Sequence, residues 1–208
     1  AFQVLEREEV RFNEFRRFPL LKLLDWLETS FRPFNPEREL QVGLFRVPVP
    51  QVDMAAFREA IANAIIHQDF SLTGTGPMIE LFDARMEITN PGVPLVDIER
   101  FLDSPPQSRN EALASFMRRI NICEERGTGV DKVVSQTELY QLPAPIFEVT
   151  ANHTRSILFG HKDFAEMDKE DRIRACYLHC CLRYVNREHM NNTSLRDRLG
   201  IDVKNSAM

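Results

Sequence analysis

The feature that most constrains the fold is the stretch "EAIANAIIHQDF" at residues 59–70, whose apolar residues follow a helical spacing. Asp53 is a suitable N-cap, because its carboxylate can accept hydrogen bonds from the first free N–H groups of a helix. We therefore predict a helix over about residues 54–67, with most of its surface facing a core.

Three polar side chains interrupt this apolar helix at intervals of four residues: Glu59, Asn63 and His67. Four residues advance about 400° around a helix, so the three side chains lie on one stripe. A polar stripe beside a buried face is suited to the wall of a ligand pocket. The alternative is an ordinary polar face exposed to solvent.

The remaining patterns alternate between helical and extended segments. We predict helices over residues 19–31, 110–120 and 130–140, a strand over 39–50, a hairpin over 77–92 that turns near Asp83 and Ala84, and two strands over 146–160. Helices and strands therefore both contribute to the predicted fold, which we place in the α+β class.

The chain changes character after Gly160. Residues 161–171 are charged and typical of a linker, residues 172–186 predict a helix, and residues 191–201 predict a short capped helix that ends at Gly200. A helix, a turn and a short helix resemble the first half of a winged helix-turn-helix.

Composition sets broad limits on function. The 208 residues predict one full domain and part of a second. A net charge of −5 exerts no global attraction toward nucleic acid or membranes, and no apolar run approaches the roughly 18 residues that span a bilayer. The four cysteines lack the spacing of a disulfide framework, which predicts a reducing, cytoplasmic location.

Two glycine-containing turns flank the middle of the chain. "NPG" at residues 90–92 follows a predicted strand, and "GTG" at residues 127–129 precedes a predicted helix. Glycine allows the backbone to approach a ligand closely, and a helix N-terminus presents unpaired N–H groups to phosphate. Simple turn chemistry is the alternative for each motif taken alone.

The order of these motifs resembles a known family. "REAIANAIIHQDFS", "FDARMEITNPGVP", "RNEALASFMRR" and "EERGTGVDKVV" are similar to the RecG-related C-terminal family, a divergent branch of the GHKL nucleotide-binding proteins. The resemblance covers about residues 50–160. It implies a GHKL (Bergerat-type) two-layer α/β sandwich, followed here by a partial winged helix-turn-helix.

The resemblance also assigns roles to residues. Glu59 would be the catalytic carboxylate that activates water, and Asn63 would help to hold Mg²⁺ against the phosphates. Asn90 stands where most GHKL proteins have an aspartate that accepts a hydrogen bond from the adenine amino group. The following Pro91 removes a backbone donor, and this departure from the pattern puts adenine selection in question.

Residues 93–125 would form a lid over the nucleotide. The resemblance implies that four neighbouring residues and Gly92 also contact the ligand. These four are Arg126, Gly127, Thr128 and Gly129, with Arg126 or Lys132 adding positive charge.

We therefore predict a regulator fragment with an ATP-binding GHKL-like domain at 1–160 and a linker with a truncated winged-helix DNA-binding module at 161–208. The cofactors would be ATP and Mg²⁺, hydrolysis would be weak, and the protein would be a homodimer. One alternative is a degenerate, non-enzymatic dimerisation module. The other is a DNA-dependent ATPase, although the chain has no G-x-x-x-x-G-K-[ST] phosphate loop.

Overall fold

The computed structural model describes residues 1–7, 9–42, 44–105, 107–123 and 129–201, which form eight strands and six α-helices. The strands are β1 (Phe2–Glu6), β2 (Glu9–Glu14), β3 (Glu37–Val42), β4 (Phe45–Pro50), β5 (Met78–Leu81), β6 (Arg85–Pro91), β7 (Ile146–Thr150) and β8 (His153–Phe159). The helices are α1 (Leu20–Phe31), α2 (Met54–Ile66), α3 (Glu111–Arg119), α4 (Gly129–Leu139), α5 (Lys169–Val185) and α6 (Asn192–Leu199). No helix in these ranges is long and apolar enough to cross a membrane.

Six strands form one mixed sheet in the order β2-β1-β5-β6-β8-β7. The pairing of β1 with β5 is parallel, and all other neighbours in this sheet are antiparallel. Side chains alternate between the two faces of a strand. On β6, Met86 and Ile88 are buried in the core and Glu87 belongs to the other face, where Arg85 and Arg155 pair with it.

One hydrophobic core joins this sheet to the first four helices. Helix α2 supplies most of the core residues, and its N-terminus is capped by Asp53, whose carboxylate accepts hydrogen bonds from the N–H groups of Ala55 and Ala56. Phe57 of α2 stacks on Phe31 of α1 with ring centroids 4.0 Å apart. The result is an α+β arrangement of helices on a sheet, compatible with the GHKL-like sandwich that the sequence predicts.

Two parts of the sheet structure differ from the sequence prediction. The single strand predicted at 39–50 is wrong, because the chain folds there into the antiparallel hairpin of β3 and β4, a separate two-stranded sheet. Strands β1 and β2 have no counterpart in the prediction. They join the main sheet through the parallel β1–β5 pair, which brings together segments that are far apart in sequence.

The C-terminal helices pack against α4. Helix α5 begins at Lys169, within the segment predicted to be a linker, and Asp168 caps its N-terminus. Helix α6 corresponds to the predicted short capped helix that ends at Gly200, which has the left-handed conformation; its N-cap is Asn191. The winged helix and the domain boundary at residue 160 stay predictions.

A buried cluster of polar side chains connects these helices to the last turn of α4. One Glu138 oxygen lies 2.9 Å from Nδ1 of His179 in α5, and the other lies 3.6 Å from Nε of Arg198 in α6. His179 Nε2 lies 3.1 Å from Ser194 Oγ, and the Arg198 guanidinium donates to the Leu142 carbonyl oxygen. Burial lowers the pKa of Arg198, and the Glu138 carboxylate opposes that change.

Because Arg198 is only 4% exposed, removal of its carboxylate partner leaves a buried charge uncompensated. We predict that Glu138→Ala lowers the free energy of unfolding by about 3 kcal/mol, as measured by urea denaturation. Glu188→Ala is the matched control, because Glu188 pairs with Arg183 at the surface and its loss should cost less than about 1 kcal/mol. Equal losses in the two variants would contradict the structural role of the cluster.

Candidate nucleotide-binding cleft

A cleft of about 690 Å³ lies between α2, the sheet and the segment that precedes and includes α3. Its volume is in the range of small-molecule sites, about 300–1,000 Å³. Side chains from β6, β7, β8, α2, α3 and α4 all contribute to the walls. Residues from Pro94 to Arg118 line the cleft as well, so the segment predicted to be the lid borders it.

The polar stripe of α2 faces this cleft. Glu59, Asn63 and His67 all line it, as does Gly129 at the start of α4. A Cβ atom at Gly129 would collide with the Glu59 carboxylate and would lie 3.1 Å from Asn63 Nδ2. The missing side chain at Gly129 is therefore what allows the N-terminus of α4 to approach the two polar residues of α2.

The buried amide of Asn90 contributes to the same cleft. Asn90 is 6% exposed and lies near the end of β6, where its backbone pairs with Thr154 of β8. Within the described ranges its side-chain amide makes no hydrogen bond to the protein. Asn90 borders the cleft, where a ligand or water can complete the hydrogen bonds of its amide.

His67 lies at the end of the stripe, at the C-cap of α2. The pKa of its imidazole is lowered, first by burial and second by the positive charge of Arg109. Proton binding is thereby shifted to more acidic conditions than for an ordinary histidine. The neutral ring presents one donor and one acceptor to its surroundings.

Gly92 is not among the residues that line the cleft. Its φ of +112° is in the region that favours glycine, and a Cβ atom would lie 2.9 Å from both Arg109 Nη1 and Asp69 Cβ. Asp69 N also donates to the Pro91 carbonyl oxygen at 2.8 Å. The "NPG" turn therefore packs against the chain that leaves α2.

Two side chains at the start of α3 hold the lid segment to the end of α2. Asn110 Nδ2 donates to the carbonyl oxygens of Ile66 and Gln68, at 2.8 and 2.7 Å. Arg109 donates to the carbonyl oxygens of His67 and Val93, at 3.4 and 3.1 Å. These contacts satisfy carbonyl groups that the helix end leaves unpaired. The family motif contains both residues, but the sequence did not reveal this role.

Three of the predicted ligand-binding residues, Arg126, Gly127 and Thr128, lie outside the described residues. The structure thus brings together Glu59, Asn63 and Gly129 directly and adds Asn90 to the same cleft.

Several residues of the cleft were not predicted. Arg118 of α3 lines it, as do the hydroxyl residues Thr154 and Ser156 of β8. Two aromatic side chains, Phe101 and Phe147, also line it and contact each other at 5.4 Å between ring centroids. The alternation of β8 could have indicated Thr154 and Ser156, because residues two apart share a face.

Few side chains in the described part of the cleft could bind a cation. No group of three or more His, Cys, Asp or Glu side chains in the described ranges could hold a metal ion. The Glu59 carboxylate and the Asn63 side-chain amide both lie beside Gly129 in one part of the cleft, with the amide nitrogen nearer to Gly129. A carboxylate oxygen and an amide oxygen are both ligands that Mg²⁺ accepts. Mg²⁺ commonly binds one or two protein oxygens and completes its shell with phosphate and water, so this donor set fits.

Comparison with known structures gives the fold. The crystal structure of the DIP2311 protein from Corynebacterium diphtheriae matches with a TM-score of 0.72 and 20% sequence identity. The match covers 96% of this chain and 46% of that one, so the chain spans about half the length of this neighbour. No curated protein matches the chain.

Comparison with protein families gives the domain type. Residues 74–158 match the family described as "Putative ATP-dependent DNA helicase recG C-terminal". The matched range contains Asn90, the lid segment and Gly129, and it begins after α2. The match supports a RecG-related HATPase-type domain over residues 74–158.

Proposed function

We propose that this chain binds ATP together with Mg²⁺ in the cleft and belongs to a DNA-binding regulator. One observation carries the ATP-binding part of this proposal. The polar stripe of α2 and the glycine at the start of α4 border one cleft together with the buried amide of Asn90, although the three come from distant parts of the sequence. The family match adds support, because HATPase-type domains generally bind ATP with Mg²⁺.

The cleft offers an environment for a flat base. Its apolar lining includes Leu95, Val96, Phe101 and Phe147, and its polar groups include the Asn90 amide. A mostly apolar wall with a few polar groups is typical of a small-molecule site. The side-chain carbonyl of Asn90 would accept a hydrogen bond from the adenine amino group in place of the family's aspartate.

The start of α4 would bind the phosphates. The first N–H groups of a helix have no intrahelical partner and carry partial positive charge. Gly129 leaves room for the backbone to approach a phosphate, and Asn63 would hold Mg²⁺ beside it. Bound Mg²⁺ would neutralise part of the phosphate charge.

Glu59 would act as the general base if ATP is hydrolysed. The residue is 4% exposed, and its carboxylate contacts Gly129 at the start of α4, where the phosphates would bind. A water molecule would attack the terminal phosphorus, Glu59 would accept the proton of that water, and the bond to the ADP oxygen would break.

The packing of the lid suggests how ligand binding would reach the C-terminal helices. Phe101 lines the cleft, and the next residue, Leu102, belongs to a buried apolar cluster with Val134 of α4 and Leu182 of α5. Tyr177 of α5 also donates from its hydroxyl to the Glu99 carbonyl oxygen at 3.4 Å. A ligand that shifts Phe101 would therefore shift a residue that packs directly on α5.

A non-enzymatic dimerisation module is the second candidate. Asn90 in place of aspartate and the stiff Pro91 beside it favour this alternative, because both change the part that would select adenine. Calorimetric titration with ATP and Mg²⁺ separates the two candidates. Heat of binding supports the first, and the absence of both heat and a thermal shift supports the second.

We expect Asn90→Leu to weaken ATP binding about tenfold or more, because the variant has no acceptor for the adenine amino group. Asn90→Asp is the matched control, since it restores the acceptor that other GHKL proteins carry, and it should bind ATP at least as tightly as the unmodified chain. Dissociation constants from calorimetry measure both effects. Equal affinities for Asn90→Leu and the unmodified chain would contradict the assignment of Asn90 to the base.

We predict that Glu59→Gln lowers ATP turnover by about 100-fold or more while ATP still binds, because the amide cannot accept the proton of the attacking water. Glu87→Gln is the control for loss of a buried carboxylate, since Glu87 is 7% exposed and lies on the sheet face away from the core. Its turnover should match that of the unmodified chain. Unchanged turnover in Glu59→Gln would remove the catalytic assignment.

Hydrogen exchange tests the link to the C-terminal helices. ATP with Mg²⁺ should slow amide exchange in residues 96–105 and, at the same time, in residues 176–182 of α5. Leu102→Ala should remove the second effect and leave the first, because it deletes the contact between lid and helix. Protection of the lid without any change in α5 of the unmodified chain would contradict the coupling.

A further inference from the structure

Arg118 is a charged residue of the cleft to which the proposed function assigns no role. Helix α3 turns Glu111, Ala114 and Arg118 toward the cleft at spacings of three and four residues, which place them on one face of the helix. Arg119, the next residue, is exposed and does not line the cleft. Arg118 therefore lies on the face of α3 that borders the cleft.

The Arg118 guanidinium has no partner in the described part of the chain. It forms no hydrogen bond, ion pair or cation–π contact there, although it is half-buried. Arg109, which precedes α3, by contrast donates to two carbonyl oxygens and lies 4.0 Å from the Asp69 carboxylate. A guanidinium carries five N–H donors in a planar fork, so an unpaired one at a cleft wall can bind an anion through two parallel hydrogen bonds.

The charges of the cleft walls make Arg118 important for the binding of a phosphate chain. The charged side chains among the described lining residues are Glu59, Glu111 and Arg118, so carboxylates outnumber cations in this described part of the walls. Two carboxylates disfavour a polyanion, and a cation in the same cleft offsets part of that repulsion. Arg118 is the positively charged side chain that the described walls provide.

We propose that Arg118 binds the terminal phosphates of the nucleotide and thereby determines how strongly the cleft prefers ATP over ligands with fewer phosphates. This inference rests on the proposed function, because it names a residue that would bind the phosphates of the nucleotide in the same cleft. It assigns selectivity to α3, a different element from the glycine turn to which the family resemblance assigns phosphate contact.

The test is a series of calorimetric titrations with adenosine, AMP, ADP and ATP, all with Mg²⁺, on the full chain. Each is repeated on Arg118→Gln, Arg118→Lys and the matched control Arg119→Gln. We expect Arg118→Gln to lower the ratio of ATP to adenosine affinity about tenfold or more, because a hydrogen-bonded charge pair is lost. Arg118→Lys should recover part of this ratio through its charge, and Arg119→Gln should keep all of it.

The other outcomes overturn the inference. An equal loss in Arg118→Gln and Arg119→Gln would mean that only the overall charge of α3 matters. A parallel loss of adenosine and ATP affinity in Arg118→Gln would mean general damage to the cleft. If the unmodified chain bound adenosine and ATP with equal affinity, the role of Arg118 in binding the phosphates would be refuted, but binding of the adenine base would still be supported. If the chain bound none of the four ligands, the proposed function itself would be refuted.

Discussion

The close approach of α2 and α4 is the contact on which the rest of the cleft depends. The apolar faces of helix α2 are buried in the core against the sheet, and its polar stripe faces the cleft. Gly129 allows the start of α4 to meet that stripe, because any larger residue would collide with the Glu59 carboxylate. A carboxylate, an amide and a helix N-terminus are thereby held together by packing.

The opposite end of α2 organises the other side of the cleft. Its last carbonyl groups accept hydrogen bonds from Asn110 and Arg109, which begin the lid helix. Arg109 also packs against Gly92, so the lid, the "NPG" turn and the end of α2 meet at one point. One helix therefore positions both the candidate phosphate end and the base of the lid.

Helix α4 contacts both the cleft and the C-terminal helices. Val133 lines the cleft, whereas the adjacent Val134 packs with Leu102 and Leu182 in a separate cluster. At the last turn, Glu138 contacts both α5 and α6. Because neighbouring residues on a helix point to different sides, a single short helix can contact a ligand site and a second packing layer.

The sequence by itself determined the local features. Asp53 and Gly200 predicted helix ends. The spacing of Glu59, Asn63 and His67 predicted the polar stripe, and the pattern around Asp83 predicted the β5–β6 hairpin. These features depend on residues a few positions apart, whose relative geometry the backbone sets directly. The family resemblance added the order of the motifs and the assignment of Asn90.

Only the tertiary structure decided which of these features meet. The pairing of β1 with β5, the position of Gly129 against Glu59, the burial of Asn90 and the unpaired state of Arg118 in the described chain all depend on segments that are distant in sequence. Whether a polar side chain faces solvent or a cleft is decided by what packs around it. Spacing along one helix contains no information about that environment, which forms when the sheet and helices close on a common core.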